Sequence, residues 1–160
     1  MRPTILITVL LAAGAGCGSG SPHEDLFGPE VPAEDVVIDT RHSGIVAPVR
    51  GVIRSPTEWQ PFLDAFAQAT PGQAIRAVDF STEMILVAAL GRQLQAGRDI
   101  GFRGIQRVTA EIIAEVLLIQ PDARCDTIEI ETTPLVAVAI RRSDVPVRFV
   151  DVTRILEACP

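Results

Sequence analysis

The sequence predicts an α+β domain: a β-rich antiparallel sheet with one main helix packed on it. Three observations carry that expectation. Ser55-Pro56-Thr57-Glu58 reads as an N-cap, a proline at the first helical position and a capping-box glutamate, which together satisfy the free amides of a helix's first turn. Met84 to Leu90 is a continuous apolar run, as expected of a central strand covered on both faces. Thr127 to Thr132 alternates strictly, the period of a strand with one face buried, which predicts Ile128 and Ile130 inward and Glu129 and Glu131 in water.

The other elements follow in order. Val36-Val37-Ile38 and a stretch from Ile45 to Ile53, interrupted by Pro48 and Gly51, read as strands before the helix. Within the helix, Trp59, Phe62, Leu63, Phe66 and Ala69 recur at the spacing of one buried face, and Pro61 threatens its start. Thr70-Pro71-Gly72 closes it. A strand is expected from Ile112 to Ile119, with Ala114 and Glu115 interrupting its pattern, and another over Val136 to Ile140. Pro121-Asp122, Thr133-Pro134 and Ser143-Asp144 are turn signals between strands. Asp151 to Cys159 is expected as a short C-terminal helix capped by Asp151, following a strand that ends near Val150; continuation as an edge strand is the alternative. Neither a βαβ alternation nor an internal repeat is present.

Residues 1–16 read as a signal peptide. Arg2 supplies one positive charge, Ile5 to Ala13 is apolar but too short to cross a bilayer, and Gly14-Ala15-Gly16 are small residues before Cys17. This arrangement resembles the lipobox of bacterial lipoproteins, although Gly14 stands where that motif usually has leucine. It implies lipidation of Cys17 and a membrane held through that lipid; secretory cleavage after Ala15 is the rival reading. Residues 17–35 combine Gly18-Ser19-Gly20-Ser21-Pro22 with acidic residues, Pro29 and Pro32, the composition of a flexible tether. Residues 36–160 then form the folded domain, large enough to bury a core without a metal.

Composition narrows the function classes. The formal charge is −6, which disfavours nucleic acid as a partner. All 14 basic residues are arginine, and the chain holds no Lys, Asn or Tyr, so lysine Schiff-base chemistry and phenolic proton transfer are excluded. Of the three cysteines, Cys17 is assigned to the lipid. In an oxidising compartment Cys125 and Cys159 are then expected to pair, two buried thiols being the alternative.

Catalytic groups are sparse. His42 lies next to Ser43 and near Asp39, but adjacent residues of an extended segment point to opposite faces, so no Ser-His-Asp set is expected. The His and Cys needed at short spacing for zinc are missing, as is the spacing of a calcium loop, and no metal or cofactor is expected. Gly91, Gly97, Gly101 and Gly104 lack a phosphate-binding lysine and read as turns, bulges or a close backbone contact. Arg92, Arg98 and Arg103 are the candidate ligand or partner residues, since guanidinium groups gathered on one hairpin would hold an anion bidentately.

Trp59 in a capped helix, Val78-Asp79-Phe80-Ser81-Thr82-Glu83-Met84-Ile85-Leu86-Val87, the turn Ala96-Gly97-Arg98-Asp99-Ile100-Gly101-Phe102, and Thr133-Pro134 with Val136 and Val138 form one further pattern. From about Ile45 to Phe149 it resembles the PrcB C-terminal domain family, named after a lipoprotein subunit of a bacterial protease complex. Ala96-Gly97-Arg98 departs from that family's Gly-Gly-Tyr hairpin. The resemblance implies a binding module and leaves its partner open; a protease partner is implied for the family's named member, which makes a secreted protease one candidate. The expectation is therefore a non-catalytic, lipid-anchored interaction domain of the cell envelope, with periplasmic small-ligand or glycan binding as the alternative.

Overall fold

The computed structural model describes residues 35–126 and 128–156. The signal segment, Cys17, most of the tether and Cys159 lie outside them. In chain order the elements are β1 (Val36–Thr40), β2 (Val49–Ile53), α1 (Pro56–Ala69), β3 (Glu83–Ala89), β4 (Gln93–Gln95), β5 (Asp99–Arg107), β6 (Ile112–Pro121), β7 (Glu129–Thr132), β8 (Leu135–Arg141) and β9 (Val147–Leu156). They make three sheets: β1-β8-β3-β2, the ribbon β4-β7, and β5-β6-β9. Every pairing is antiparallel except β6 with β9. The described residues thus form an α+β, β-rich domain with one helix.

Strand β3 explains the layering. Its register against β8 places Met84, Leu86 and Ala88 opposite Ile140, Val138 and Val136, with Ile85, Val87 and Ala89 opposite Ala139, Ala137 and Leu135. The second set packs with Trp59 and Phe66 of α1. The first set packs with Ile100, Ile112, Ala114 and Val116 of the β5-β6-β9 sheet. The four-stranded sheet is therefore sandwiched between the helix and the second sheet, so both faces of its central strands are apolar. Alanines opposite larger residues leave room for that packing.

Helix α1 begins as its sequence requires. Ser55 Oγ accepts from the Glu58 amide at 3.3 Å, while Glu58 Oε2 accepts from the amide of Arg54, one residue before the cap, at 2.7 Å. Pro61 does not break it, because the helix runs on to Ala69. Trp59 and Phe62 stack with ring centroids 5.5 Å apart.

Three expectations need correction. Asp151 to Leu156 is not a helix but the second half of β9, laid parallel on β6 from Ile112↔Val147 to Pro121↔Leu156. Val147 and Phe149 pack in the core beside β6, and β-branched Val150, Val152, Thr153 and Ile155 favour the pleat. Asp151 caps nothing; its carboxylate takes a bidentate contact from Arg50 of β2 at 2.9 and 3.1 Å, joining the two sheets. The run from Ile45 yields a strand only from Val49, the residues before it crossing under Gly91. The third correction concerns β7. Its alternation is real, but Ile128 is 69% and Ile130 43% exposed. This short strand pairs only with β4, so its apolar face borders a cleft rather than the core.

Cys125 follows β6 in the turn opened by Asp122 and is disulfide-bonded.

Candidate functional site

The exposed isoleucines Ile128 and Ile130 open on a cleft of about 650 Å³. It lies where the β4-β7 ribbon faces the ends of β6 and β9. Its apolar wall is Ile119, Ile128, Ile130 and Leu156. Ile128, just before β7, and Ile130 and Thr132 within it are successive same-face residues, and Ala96, Gly97 and Arg98 of the β4–β5 turn with Asp99 at the start of β5 form the opposite lip. That turn is held over the ribbon by the Ala96 amide donating to the Ile128 carbonyl at 3.1 Å. Gly97, at φ +82°, supplies the left-handed residue the turn needs.

The polar rim is mostly spent on itself. Arg41 Nε donates to Asp99 Oδ2 at 2.9 Å. Nearby Asp39 is held above the ordinary carboxylate range, first by burial and then by the negative charge of Asp99, with Arg41 opposing. Two groups differ. Arg98 has no ion-pair or hydrogen-bond partner among the described residues. Thr132 is 7% exposed, and its Oγ1 is buried with no hydrogen-bond partner among the described residues. An unmatched buried hydroxyl is unfavourable by about 1–3 kcal/mol, which makes it a place where a bound group gains contact. Asp126 and His42 complete the rim.

The three candidate arginines are not brought together. Arg92 pairs with Glu131 of β7 at 3.3 Å and is exposed, Arg98 lines the cleft, and Arg103 of β5 donates to Glu115 of β6 at 3.4 Å. The bulge between Phe102 and Gly104 sets Arg103 beside Glu115. Glu115, expected to interrupt its strand, sits within it at 4% exposure, and its Oε2 has no hydrogen-bond partner among the described residues.

Ser43 is not available as a nucleophile. Its Oγ is buried and donates to the Thr133 carbonyl at 2.7 Å, while accepting from the Ile45 amide at 3.1 Å. Together with the Gly44 amide donating to Thr133 Oγ1 at 3.0 Å, these contacts tie the segment after β1 to the turn before β8. Among the described residues no group of three His, Cys, Asp or Glu side chains is placed to hold a metal ion, and no helix is long and apolar enough to cross a membrane.

The residues carrying the family resemblance serve the fold. Asp79 organises the turn before β3, its carboxylate accepting from the Ser81 amide and hydroxyl at 3.0 and 2.6 Å and from Thr82 Oγ1 at 3.0 Å. Those bonds hold its carboxyl below the usual range. Trp59 and Met84 are core residues, and Thr133 forms an isolated bridge with His42. Comparison with known proteins found no matching family model, no curated relative and no solved structure of significant similarity.

Sequence reasoning missed the cleft's wall. The signal was present, since Ile128, Ile130 and Thr132 share one face, but period alone does not say whether that face meets a core or an opening. Ile119 lies two residues before the end of β6 and Leu156 ends β9, strands whose parallel pairing no local pattern announces.

Proposed function

We propose that this chain is a non-catalytic, extracytoplasmic protein-interaction domain, lipid-anchored at the cell envelope through Cys17, that engages its partner at the cleft beside β7. The observation that carries this reading is the exposed apolar row Ile128–Ile130, with Leu94 (62% exposed) on the same ribbon. A folded domain that leaves large aliphatic side chains in an open cleft has a surface suited to association. The anchor rests on the small residues before Cys17, and the tether of residues 17–35 would hold the domain off the bilayer. The PrcB-like pattern adds a partner class, a secreted protease of which this chain would be a subunit or stabiliser. The glycan or anion alternative rested on three arginines acting together, and they stand apart.

We further propose that Cys125 pairs with Cys159. The parallel register ends at Pro121↔Leu156, four residues before Cys125 and three before Cys159, so the two strands that lead to the cysteines end at the same edge of the sheet.

Detergent-solubilised pulldown from the native envelope, using the full chain beside an Ile128→Asp/Ile130→Asp variant, tests the interaction. A stoichiometric partner retained by the former and lost by the latter is expected; equal recovery, or no partner, would refute the reading. Intact mass of the envelope form tests the anchor, an unmodified Cys17 thiol counting against it.

A further inference from the structure

Resting on the interaction reading, we infer that the cleft recognises the C-terminal end of a partner polypeptide, an aliphatic last residue with its free carboxylate. The argument starts from what the cleft leaves unmatched. Arg98 is the lining arginine without a partner among the described residues, since Arg41 is held by Asp99. Arg98 stands two residues from Ala96, whose amide is bonded to the Ile128 carbonyl, and Arg98 and Ile128 line the same cleft. A chain terminus carries its carboxylate on the same α-carbon as its last side chain, and so can meet an arginine and an adjacent isoleucine at once. Guanidinium and carboxylate match in a bidentate pair.

The remainder of the cleft fits a short chain end. Ile128 to Thr132 makes a row about 13 Å long at the ordinary rise of a strand, room for three or four extended residues. Ile119 and Leu156 face that row with further apolar surface. The Thr132 hydroxyl, nine-tenths buried and unpartnered among the described residues, offers a donor or acceptor to the ligand backbone once it turns to another staggered position. Asp126 on the rim repels a second anion, which favours a terminus preceded by neutral residues over an acidic tail.

The test uses the full chain in detergent micelles and a fluorescein-labelled pentapeptide of neutral residues ending in leucine, as free acid and as C-terminal amide, read by fluorescence anisotropy. The free acid is expected to bind about tenfold more tightly than the amide. Arg98→Ala should bring the acid down to the level of the amide, and Thr132→Val should weaken both, with cooperative circular dichroism melts no lower than the parent's showing that each variant is folded. Equal binding of acid and amide, no binding of either, or discrimination that survives Arg98→Ala would each overturn the inference. Free leucine competing as well as the peptide would overturn it too, making the occupant a small aliphatic acid. If the envelope partner is captured and lost with the Ile128→Asp/Ile130→Asp variant while acid and amide bind alike, the interaction reading stands and the chain-end inference alone falls.

Discussion

Thr132 and Gly91 behave in opposite ways when changed by a single group. The Thr132 hydroxyl is buried without a partner among the described residues, so Thr132→Val removes an unmatched polar atom while keeping the shape. The variant is expected to be more stable than the parent by about 1 kcal/mol, seen as a higher urea midpoint at unchanged slope. Gly91 stands at φ +73°, and a Cβ there would lie 2.8 Å from both the Pro48 nitrogen and the Val46 carbonyl oxygen. Those are backbone atoms of the segment entering β2, itself tied by the Arg92 amide donating to Val46 at 3.0 Å, so nothing flexible can yield. Gly91→Ala combines a left-handed backbone with a backbone clash and should lower stability by more than about 2 kcal/mol in the same measurement.

Helix α1 is the element most legible from sequence because its signals are local. The cap, the proline and the 3.6-residue spacing of Trp59, Phe62, Leu63 and Phe66 all lie within fourteen residues, and each acts through neighbours a turn away. Replacing Phe66, 2% exposed against β3 and β8, by alanine should cost about 3–5 kcal/mol, whereas Ser55→Ala should cost about 1 kcal/mol; thermal melts of both variants check the ratio. The central strand β3 was equally legible, since burial on both faces requires an unbroken apolar run. Strands β7 and β9 were not. Both carry strand-like composition, but where β7's inner face points depends on its lone pairing with β4. Likewise β9 depends on a parallel partner thirty-five positions away, which no local pattern encodes. The candidate site inherits that limit. Arg98 was read as a candidate from its turn, while Ile119, Ile130, Thr132 and Leu156 join it only through tertiary pairing. The same long-range pairing makes the Arg50–Asp151 contact, and because Asp151 is about half exposed, its coupling in a double-mutant cycle is expected below about 1 kcal/mol.

For the molecule as a whole, acid and reduction probe different parts of the fold. Glu83 lies below the ordinary carboxylate range, chiefly because Arg76 donates to it, and Glu58, Asp79 and Asp122 are lowered by donors from Arg54, Ser81 and Arg124 respectively. A carboxyl whose folded value is lowered contributes stability above its unfolded pKa, and that stability is lost as pH falls through the folded value. Asp39 acts in the opposite sense: its raised value makes ionisation unfavourable in the fold, so its penalty is relieved on acidification. Among the described residues, four lowered groups against one raised group predict a melting temperature that falls as pH drops below about 4.5, and Asp39→Asn should steepen that fall while raising stability at pH 7. Reduction acts elsewhere. β9 is an edge strand held through β6 alone within its sheet; Arg50 ties it to the other sheet by an ion pair, and Val147 and Phe149 pack in the core between the two. A Cys125–Cys159 bond would close the end at which β6 and β9 leave their sheet. Removing it by Cys159→Ser is expected to lower stability by about 3–4 kcal/mol and to raise hydrogen exchange first in Arg154 to Leu156, next to the released end. Peptide mapping under non-reducing conditions decides the pairing: a Cys17–Cys125 peptide would overturn both this bond and the lipid on Cys17, because one thiol cannot carry both.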